Sequence, residues 1–236
     1  MLNDGIPVFV SESLESVPPD HASNVIGAEY EQILQAGKDF VLNIGAGATA
    51  QRYLNCIEFE HKVFRHTDVV GDAHRLPFRD SIFDRVFAFN VFEHLRTPKA
   101  AAGEIFRVLK PGGSAVIHTA FLQPLHEEPH HFYNATEFGV REWFTDFHIE
   151  RCEASGNFGP GVMLGFLTAN LLELVRQTSA SWKDQTLLAD STLGEWASFW
   201  AGKSAPPSGF ETLQSLPQEL QKRIAAGFEL VAIKPS

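Results

Sequence analysis

A short glycine-containing turn is the first feature of this sequence that could bind a small molecule. Gly45-Ala46-Gly47 follows the apolar run 40–44 and continues as a G-x-G-x-x-A pattern. Glycine is needed where a ligand approaches the backbone closely, because a Cβ atom would occupy that space. The pattern fits a nucleotide-binding turn and an unliganded strand-to-helix turn about equally. A ribose would need a carboxylate acceptor, and Glu58, predicted to end the second strand, is the nearest candidate.

A second candidate binding position follows the third predicted strand. Asp72 could accept a hydrogen bond from an exocyclic amine while the backbone N–H of Ala73 donates to a ring nitrogen. That pair of interactions suits the edge of adenine. An Asx-turn at a strand end is the structural alternative.

Titratable side chains are concentrated in the loop 123–133, after the fifth predicted strand. Ligands of open α/β sheets bind beyond the carboxyl ends of the strands, so this loop should face a reacting group. Histidine suits proton removal from a hydroxyl, and we predict His126 or His130 as the base, with Tyr133 as an orienting phenol. A solvated loop whose histidines cap the helix beginning near Thr136 is the alternative.

The same loop could suggest a metal site, because it contains three histidines and two glutamates within six positions. Neighbouring residues on one loop do not readily converge on a single ion. We therefore predict no metal.

Short β-rich runs alternate with helical stretches between about residues 40 and 120, which predicts a parallel sheet with crossover helices. Five buried strands are predicted, at residues 40–44, 55–59, 68–71, 85–89 and 114–118, the last preceded by a turn at 110–113. A sixth is predicted at 147–152 and a seventh at 227–233.

Helices are predicted between and around these strands. The clearest begins with Thr97 as N-cap and Pro98 at the first position, and its apolar residues recur at helical spacing to Leu109. A helix capped by Asn24 should precede the first strand. Three more are expected between the sixth and seventh strands, at about 161–177, 186–201 and 216–225.

Charge and cysteine content restrict the class of protein. Nineteen basic against 29 acidic residues give a net charge of −10, which disfavours nucleic acid and anionic membranes as partners. Cys56 and Cys152 are too few for a disulfide framework, which favours the cytoplasm. The N-terminus lacks the features of a signal peptide, and polar residues interrupt the apolar stretch 161–175 before it could span a bilayer.

Four motifs in order carry a family resemblance. They are Val41-Leu42-Asn43-Ile44-Gly45-Ala46-Gly47, then Gly71-Asp72-Ala73 with Leu76-Pro77-Phe78, then Phe83-Asp84 leading to Asn90-Val91-Phe92-Glu93-His94-Leu95, and finally Arg107-Val108-Leu109-Lys110-Pro111-Gly112-Gly113. Over roughly residues 38–150 the chain resembles class I S-adenosylmethionine-dependent methyltransferases. It is similar in particular to the small-molecule branch that shares the series "LPF…FD…EHL…LKPGG".

The resemblance implies an α/β, Rossmann-like fold. Its seven-stranded, mostly parallel sheet would have an antiparallel last strand and helices on both faces. We expect an N-terminal extension and helix at 1–37 and a methyltransferase domain at 38–236, with a helical insertion at 155–225 before the last strand.

The resemblance also assigns roles to individual residues. It implies that Gly45, Ala46 and Gly47 pass the methionine moiety of S-adenosylmethionine, that Glu58 holds the ribose hydroxyls, and that Asp72 and Ala73 read the adenine. Asn90 would line the amino-acid end of the cofactor. His94 would lie close by, as a catalytic or a structural histidine.

The chain departs from the family pattern in two places. Asn43 stands where members usually carry an acidic residue that orients the cofactor's ammonium group, so one charge is missing from the expected site. The segment between Gly47 and the second strand is also short. Residues 3–9 resemble the tail of a small zinc-ribbon module, but its cysteines are absent and no zinc is implied.

The predicted insertion carries more apolar surface than one surface helix normally shows, including Trp182, Trp196, Phe199, Trp200 and Phe210. Packing within the chain, a homo-oligomer interface and a lid over the acceptor are the three interpretations.

Three functions remain open from sequence. The first is methyl transfer from S-adenosylmethionine to a small-molecule or glycan-like acceptor, most simply a hydroxyl. The second is a non-catalytic cofactor-binding scaffold. The third, a nicotinamide-dependent oxidoreductase, is disfavoured because counting about 20 positions from Gly45 reaches His66 rather than an acidic residue.

Overall fold

The computed structural model describes residues 2–3, 5–11, 17–18, 26–226 and 228. The chain divides into two compact units. The first comprises residues 1–121 and 129–153, and the second comprises residues 122–128 and 154–236.

A five-stranded parallel sheet forms the centre of the first unit. Its strands are β3 (Val41–Ile44), β4 (Cys56–Glu60), β5 (Val69–Val70), β6 (Phe83–Phe89) and β7 (Leu109–His118). The spatial order is β5-β4-β3-β6-β7, so these five strands begin with β3 at the centre, continue to β5 at one edge and then cross to β6 and β7 on the other side. This confirms the predicted parallel α/β sheet and its first five strands.

Hydrophobic cores cover both faces of this sheet, because successive strand residues point to opposite sides. On one face, Tyr30 and Leu34 of α1 (Ala28–Ala36) pack on Val41 and Phe87. On the other face lies α2 (Pro98–Val108), whose buried residues pack with those of the strands. The members of this larger core include Leu42, Ile44, Phe59, Val86, Ala88, Ala101, Ala102, Ile105 and Val108.

The N-terminal residues extend the sheet beyond β5. The strands β1 (Leu2–Asn3) and β2 (Ile6–Pro7) form an antiparallel hairpin. Val8 then bridges to Val70 in parallel, and the Phe9 N–H donates to the Val70 carbonyl at 2.9 Å. We call residues 6–9 the edge segment.

Several boundaries differ from the prediction. The strand predicted at 114–118 begins at Leu109, because Leu109 already pairs with Phe83 of β6. The predicted turn at 110–113 is an irregularity inside β7, where the register shifts and Gly112 has a φ of +80°. Helix α1 begins at Ala28 with Gly27 as N-cap, and Asn24 lies outside the described residues. The connection from β3 to β4 contains no helix in the described residues.

The predicted sixth strand is wrong. Residues 147–152 form bends and irregular backbone, and Phe147 and Ile149 instead pack on the larger core. The apolar side chains of such a run can be buried against a core even where its backbone forms no strand pairing. The predicted seventh strand, and with it the antiparallel last strand, falls almost entirely outside the described residues.

The second unit is helical. Its helices are α4 (Pro160–Arg176), α5 (Trp182–Ala189), α6 (Leu193–Trp200), α7 (Phe210–Gln214) and α8 (Gln218–Gln221), after α3 (Glu137–Trp143) of the first unit. The helix predicted at 186–201 is therefore two helices, separated where Thr192 and Glu195 form a capping box that starts α6. The helix predicted at 216–225 is shorter and is preceded by α7.

A small core of Val175, Leu188 and Leu216 holds this unit together. None of the helices in the described ranges has the length and apolar character needed to cross a membrane.

We expect Leu42→Ala to lower the free energy of unfolding by about 2–5 kcal/mol, because it opens a cavity at a fully buried position. Leu54→Ala is the matched control. Its side chain is fully exposed, so a change within about 0.5 kcal/mol is expected. Urea unfolding followed by circular dichroism measures both, and equal effects would contradict the assigned core.

Candidate functional site

The glycine turn lies at the carboxyl end of β3. Gly45 and Gly47 have φ angles of +64° and +66°, a region that favours glycine. A Cβ at Gly45 would also overlap a methyl group of Val91, which follows β6. The turn is therefore fixed by close approach between two strand ends, at the carboxyl edge of the sheet.

A carboxylate from the neighbouring strand contacts this turn directly. Glu60, the last residue of β4, accepts a hydrogen bond from the Gly47 N–H at its Oε1, at 2.6 Å. Its side chain is buried. Glu60 was not among the predicted site residues. A prediction that β4 ends at Glu60 would have indicated it.

Glu58 does not end the second strand, contrary to the prediction. It lies two residues before that end, and its Oε1 accepts a hydrogen bond from Thr49 Oγ1 at 2.6 Å. Thr49 Oγ1 also lies 3.1 Å from His66 Nδ1. The Glu58 side chain thus contacts Thr49, in the segment that follows the glycine turn, and stabilises that segment through this hydrogen bond.

Burial raises the pKa of the Glu58 carboxyl to about 7, with the hydrogen bond from Thr49 opposing the shift and the Asp68 carboxylate adding to it. The second oxygen of Glu58, Oε2, is buried without a hydrogen-bond partner. Protonation removes the cost of burying a charge there.

Asp72 stands in the loop directly after β5, as predicted. Its Oδ1 accepts a hydrogen bond from the His74 N–H at 2.9 Å, which is the Asx-turn named above as the structural alternative, and lies 2.6 Å from His74 Nδ1. Burial alone would raise the pKa of Asp72, but these hydrogen bonds outweigh it and lower the pKa. The side chain of Asp72 remains more than half exposed, so an ionised carboxylate faces solvent at this edge.

Two asparagines flank the glycine turn. Asn43 is buried in β3, in register with Glu58 and Phe87. Asn90 follows β6 with a φ of +56°, and its N–H donates to the His118 carbonyl at 2.9 Å. The Oδ1 of Asn90 is buried without a hydrogen-bond partner, which leaves an acceptor beside the turn unsatisfied.

The loop after β7 is anchored to the 3₁₀ turn Phe92–His94. The backbone N–H groups of Phe132 and Tyr133 donate to the Glu93 carbonyl at 2.8 and 3.2 Å. The Glu93 side chain is fully buried and accepts a hydrogen bond from Thr119 Oγ1 at 2.9 Å. Glu93 was predicted only as a member of the motif at 90–95, with no role of its own.

The predicted catalytic residues occupy different settings. His94 Nδ1 lies 3.0 Å from the His130 carbonyl oxygen, which favours a structural role for the His94 ring. The Tyr133 hydroxyl donates to the Arg96 carbonyl at 3.0 Å. The side chain of His130 is exposed.

His126 belongs to the second unit, where its Nδ1 lies 2.9 Å from the Pro124 carbonyl oxygen. The alternative in which loop histidines cap α3 is wrong. Thr136 caps this helix by accepting a hydrogen bond from the Gly139 N–H.

The strand order and the glycine turn at the carboxyl end of the first sheet strand define a Rossmann-like fold of the class I methyltransferase type. Residues 44–117 match the family profile described as "Methyltransferase domain". This part of the chain is a class I, S-adenosylmethionine-dependent methyltransferase domain, and S-adenosylmethionine is the cofactor of that class.

Curated relatives align with parts of the chain. Demethylmenaquinone methyltransferase of Renibacterium salmoninarum is 31% identical over 115 residues, which are 46% of this chain and 45% of that protein. A sterol 24-C-methyltransferase of Schizosaccharomyces pombe is 49% identical over 45 residues, 19% of this chain and 12% of that protein. The chain thus spans less than half the length of these relatives.

Solved structures are similar to a limited degree. Phospholethanolamine N-methyltransferase 2 of Haemonchus contortus, in complex with phosphomonomethylethanolamine and S-adenosylhomocysteine, has a TM-score of 0.41 and 18% identity. The similarity covers 69% of this chain and 43% of that one.

The raised pKa of Glu58 predicts a pH-dependent stability. Between pH 4.5 and about 7 the folded protein keeps a proton on Glu58 that the unfolded chain has lost, so stability falls as the pH rises through this range. The contribution is roughly 3 kcal/mol. Glu58→Gln keeps an acceptor for Thr49 and should remove this part of the slope.

Urea unfolding at pH 5, 6, 7 and 8 tests this, with Glu150→Gln, an exposed glutamate, as the matched control. Identical pH slopes for the wild type and Glu58→Gln would show that Glu58 is ionised in the folded protein across this range.

Proposed function

We propose that this protein transfers a methyl group from S-adenosylmethionine to a small-molecule or glycan-like acceptor. The observation that carries the proposal is the arrangement at the carboxyl edge of the sheet. The glycine turn, the Glu60 carboxylate that contacts it and the Asp72 carboxylate that follows the next strand succeed one another along this edge. The matched methyltransferase profile spans all three.

In this proposal the cofactor lies across the strand ends. Gly45, Ala46 and Gly47 would hold its methionine moiety, and Asn43 with the unsatisfied Oδ1 of Asn90 would hold its amino-acid end. An ammonium group is a suitable donor for that buried acceptor.

Glu60 replaces Glu58 as the residue proposed to hold the ribose hydroxyls, because it ends the strand and already contacts the glycine turn. Asp72 and the Ala73 N–H read the adenine edge. The low pKa of Asp72 keeps its carboxylate ionised and therefore a hydrogen-bond acceptor.

The proposed reaction is an in-line displacement at the sulfonium. The acceptor hydroxyl gives its proton to a histidine, its oxygen bonds to the methyl carbon, and the carbon–sulfur bond breaks to leave S-adenosylhomocysteine. We propose His130 as the base, because its side chain is exposed in a loop anchored beside His94. His126 is the alternative base, and Tyr133 orients the loop through its bond to Arg96.

A small-molecule acceptor is supported by the names of the relatives, which refer to a sterol and to demethylmenaquinone. The net charge of −10 disfavours nucleic acid as the acceptor. We propose a cytoplasmic location. The exposed Trp182 and Trp200 of the helical unit are proposed to serve as a lid or a homo-oligomer interface.

A non-catalytic scaffold that keeps the cofactor site is the second candidate. Asn43 favours it, because this buried residue carries no charge where methyltransferases of this class usually have a carboxylate. The scaffold would bind the cofactor and produce no S-adenosylhomocysteine with any acceptor.

The cofactor site predicts tight dependence on Glu60. Calorimetric titration should show binding of S-adenosylmethionine and S-adenosylhomocysteine by the wild type, with Glu60→Gln and Asp72→Ala each weakening it roughly 10- to 100-fold through loss of a charged hydrogen bond. Glu150→Gln should bind like the wild type. A larger loss of affinity in Glu58→Gln than in Glu60→Gln would assign the ribose hydroxyls to Glu58. Absence of binding by the wild type would refute the proposed function.

The proposed base predicts a selective loss of turnover. In an acceptor screen followed by S-adenosylhomocysteine release, His130→Gln should lower kcat about 100-fold or more and leave the KM for S-adenosylmethionine unchanged. His148→Gln, outside the loop, is the control. Full turnover in His130→Gln would assign proton removal to another group, with His126→Gln as the next variant.

A further inference from the structure

We propose that Phe9, from the N-terminal edge segment, forms an aromatic wall of the adenine pocket. This inference rests on the proposed function and adds a residue that neither the motifs nor the matched profile, residues 44–117, contains. It gives the N-terminal residues a role in cofactor recognition.

The first support is the fixed backbone of Phe9. Its N–H donates to the Val70 carbonyl at 2.9 Å, and the preceding Val8 is buried and bridged to Val70. Further along the chain the Val17 N–H donates to the Val63 carbonyl at 2.9 Å, so a second bond ties the N-terminal region to the loop between β4 and β5.

The second support is the position of Phe9 in a series of strand ends. The Gly45 N–H donates to the Phe59 carbonyl, and the Gly71 N–H donates to the Glu60 carbonyl. The hydrogen bond from Phe9 to Val70 continues this ladder by one more strand. Phe9 therefore stands at the same edge as the glycine turn and the proposed ribose and adenine contacts.

The third support is the closeness of Phe9 to Gly71, the residue before Asp72. Gly71, directly before Asp72, has no side chain, and a Cβ there would overlap the Phe59 ring and lie 3.8 Å from the Cβ of Phe9. The Phe9 side chain is 59% exposed. Single exposed apolar side chains are common on proteins, and what sets Phe9 apart is its rigid attachment beside the residue proposed to read adenine.

The chemistry of the base agrees with this position. Asp72 and Ala73 can satisfy the polar edge of adenine, but its faces are apolar and need a flat partner. Aromatic side chains supply this partner and contribute to base binding through stacking.

Calorimetric titration of the full chain with S-adenosylhomocysteine tests the inference. Phe9→Ala and Phe9→Leu should weaken binding about 10-fold, and Phe9→Trp should restore it because stacking requires a flat ring. Phe138→Ala, which removes an exposed aromatic side chain from α3, is the matched control and should bind like the wild type.

A second readout separates stacking from a structural effect. Adenine stacked on the indole of Phe9→Trp should quench fluorescence beyond any change seen when the wild type is titrated. Thermal melting without ligand should be the same in all Phe9 variants, since the side chain is exposed.

Wild-type affinity in Phe9→Ala, or in Phe9→Leu, would overturn the inference while leaving the cofactor site intact. Absence of binding by the wild type would instead refute the proposed function, and the inference with it.

Discussion

The parallel pairing of β3 with β4 on one side and β6 on the other is the constraint on which the rest of the structure depends. All four residues of β3 are buried, and both neighbours pair with it in continuous register from Val41 to Ile44. This register fixes where each strand ends. It brings Gly45, Glu60 and Asn90 to one edge, although they are distant in sequence.

Stability is reduced where the proposed ligand would bind. Glu58 and Glu60 are both buried next to the glycine turn, and the buried Oε2 of Glu58 and Oδ1 of Asn90 have no hydrogen-bond partner. A fold selected for stability alone would not place such groups together, because each costs desolvation energy without full compensation. Their concentration at the end of the sheet agrees with a site that is completed by a polar ligand.

Most of the central sheet could be predicted from sequence, because buried parallel strands read as short apolar runs and Thr97-Pro98 starts an unambiguous helix. The exact end of β4 could not be predicted, because Glu58 and Glu60 both alternate with apolar residues. Only the pairing of β4 with β3 and β5 shows that Glu60 ends the strand. The apolar residues at 147–152 match the pattern of a strand, but their side chains pack on the core while their backbone pairs with no strand in the described ranges. The edge segment had no signal of its own, because its pairing with Val70 is long-range.

The edge segment also affects the order in which the molecule can fold. Val8 leaves the ribosome well before Val70, the residue with which it pairs, so the edge segment can join the sheet only after the strands β3 to β5 have been synthesised. Contacts between distant positions in the chain form slowly because loop closure must precede them. The edge segment therefore joins β5 only after the chain has been synthesised as far as Val70, and it can do so before β6 and β7 complete the other side of the sheet.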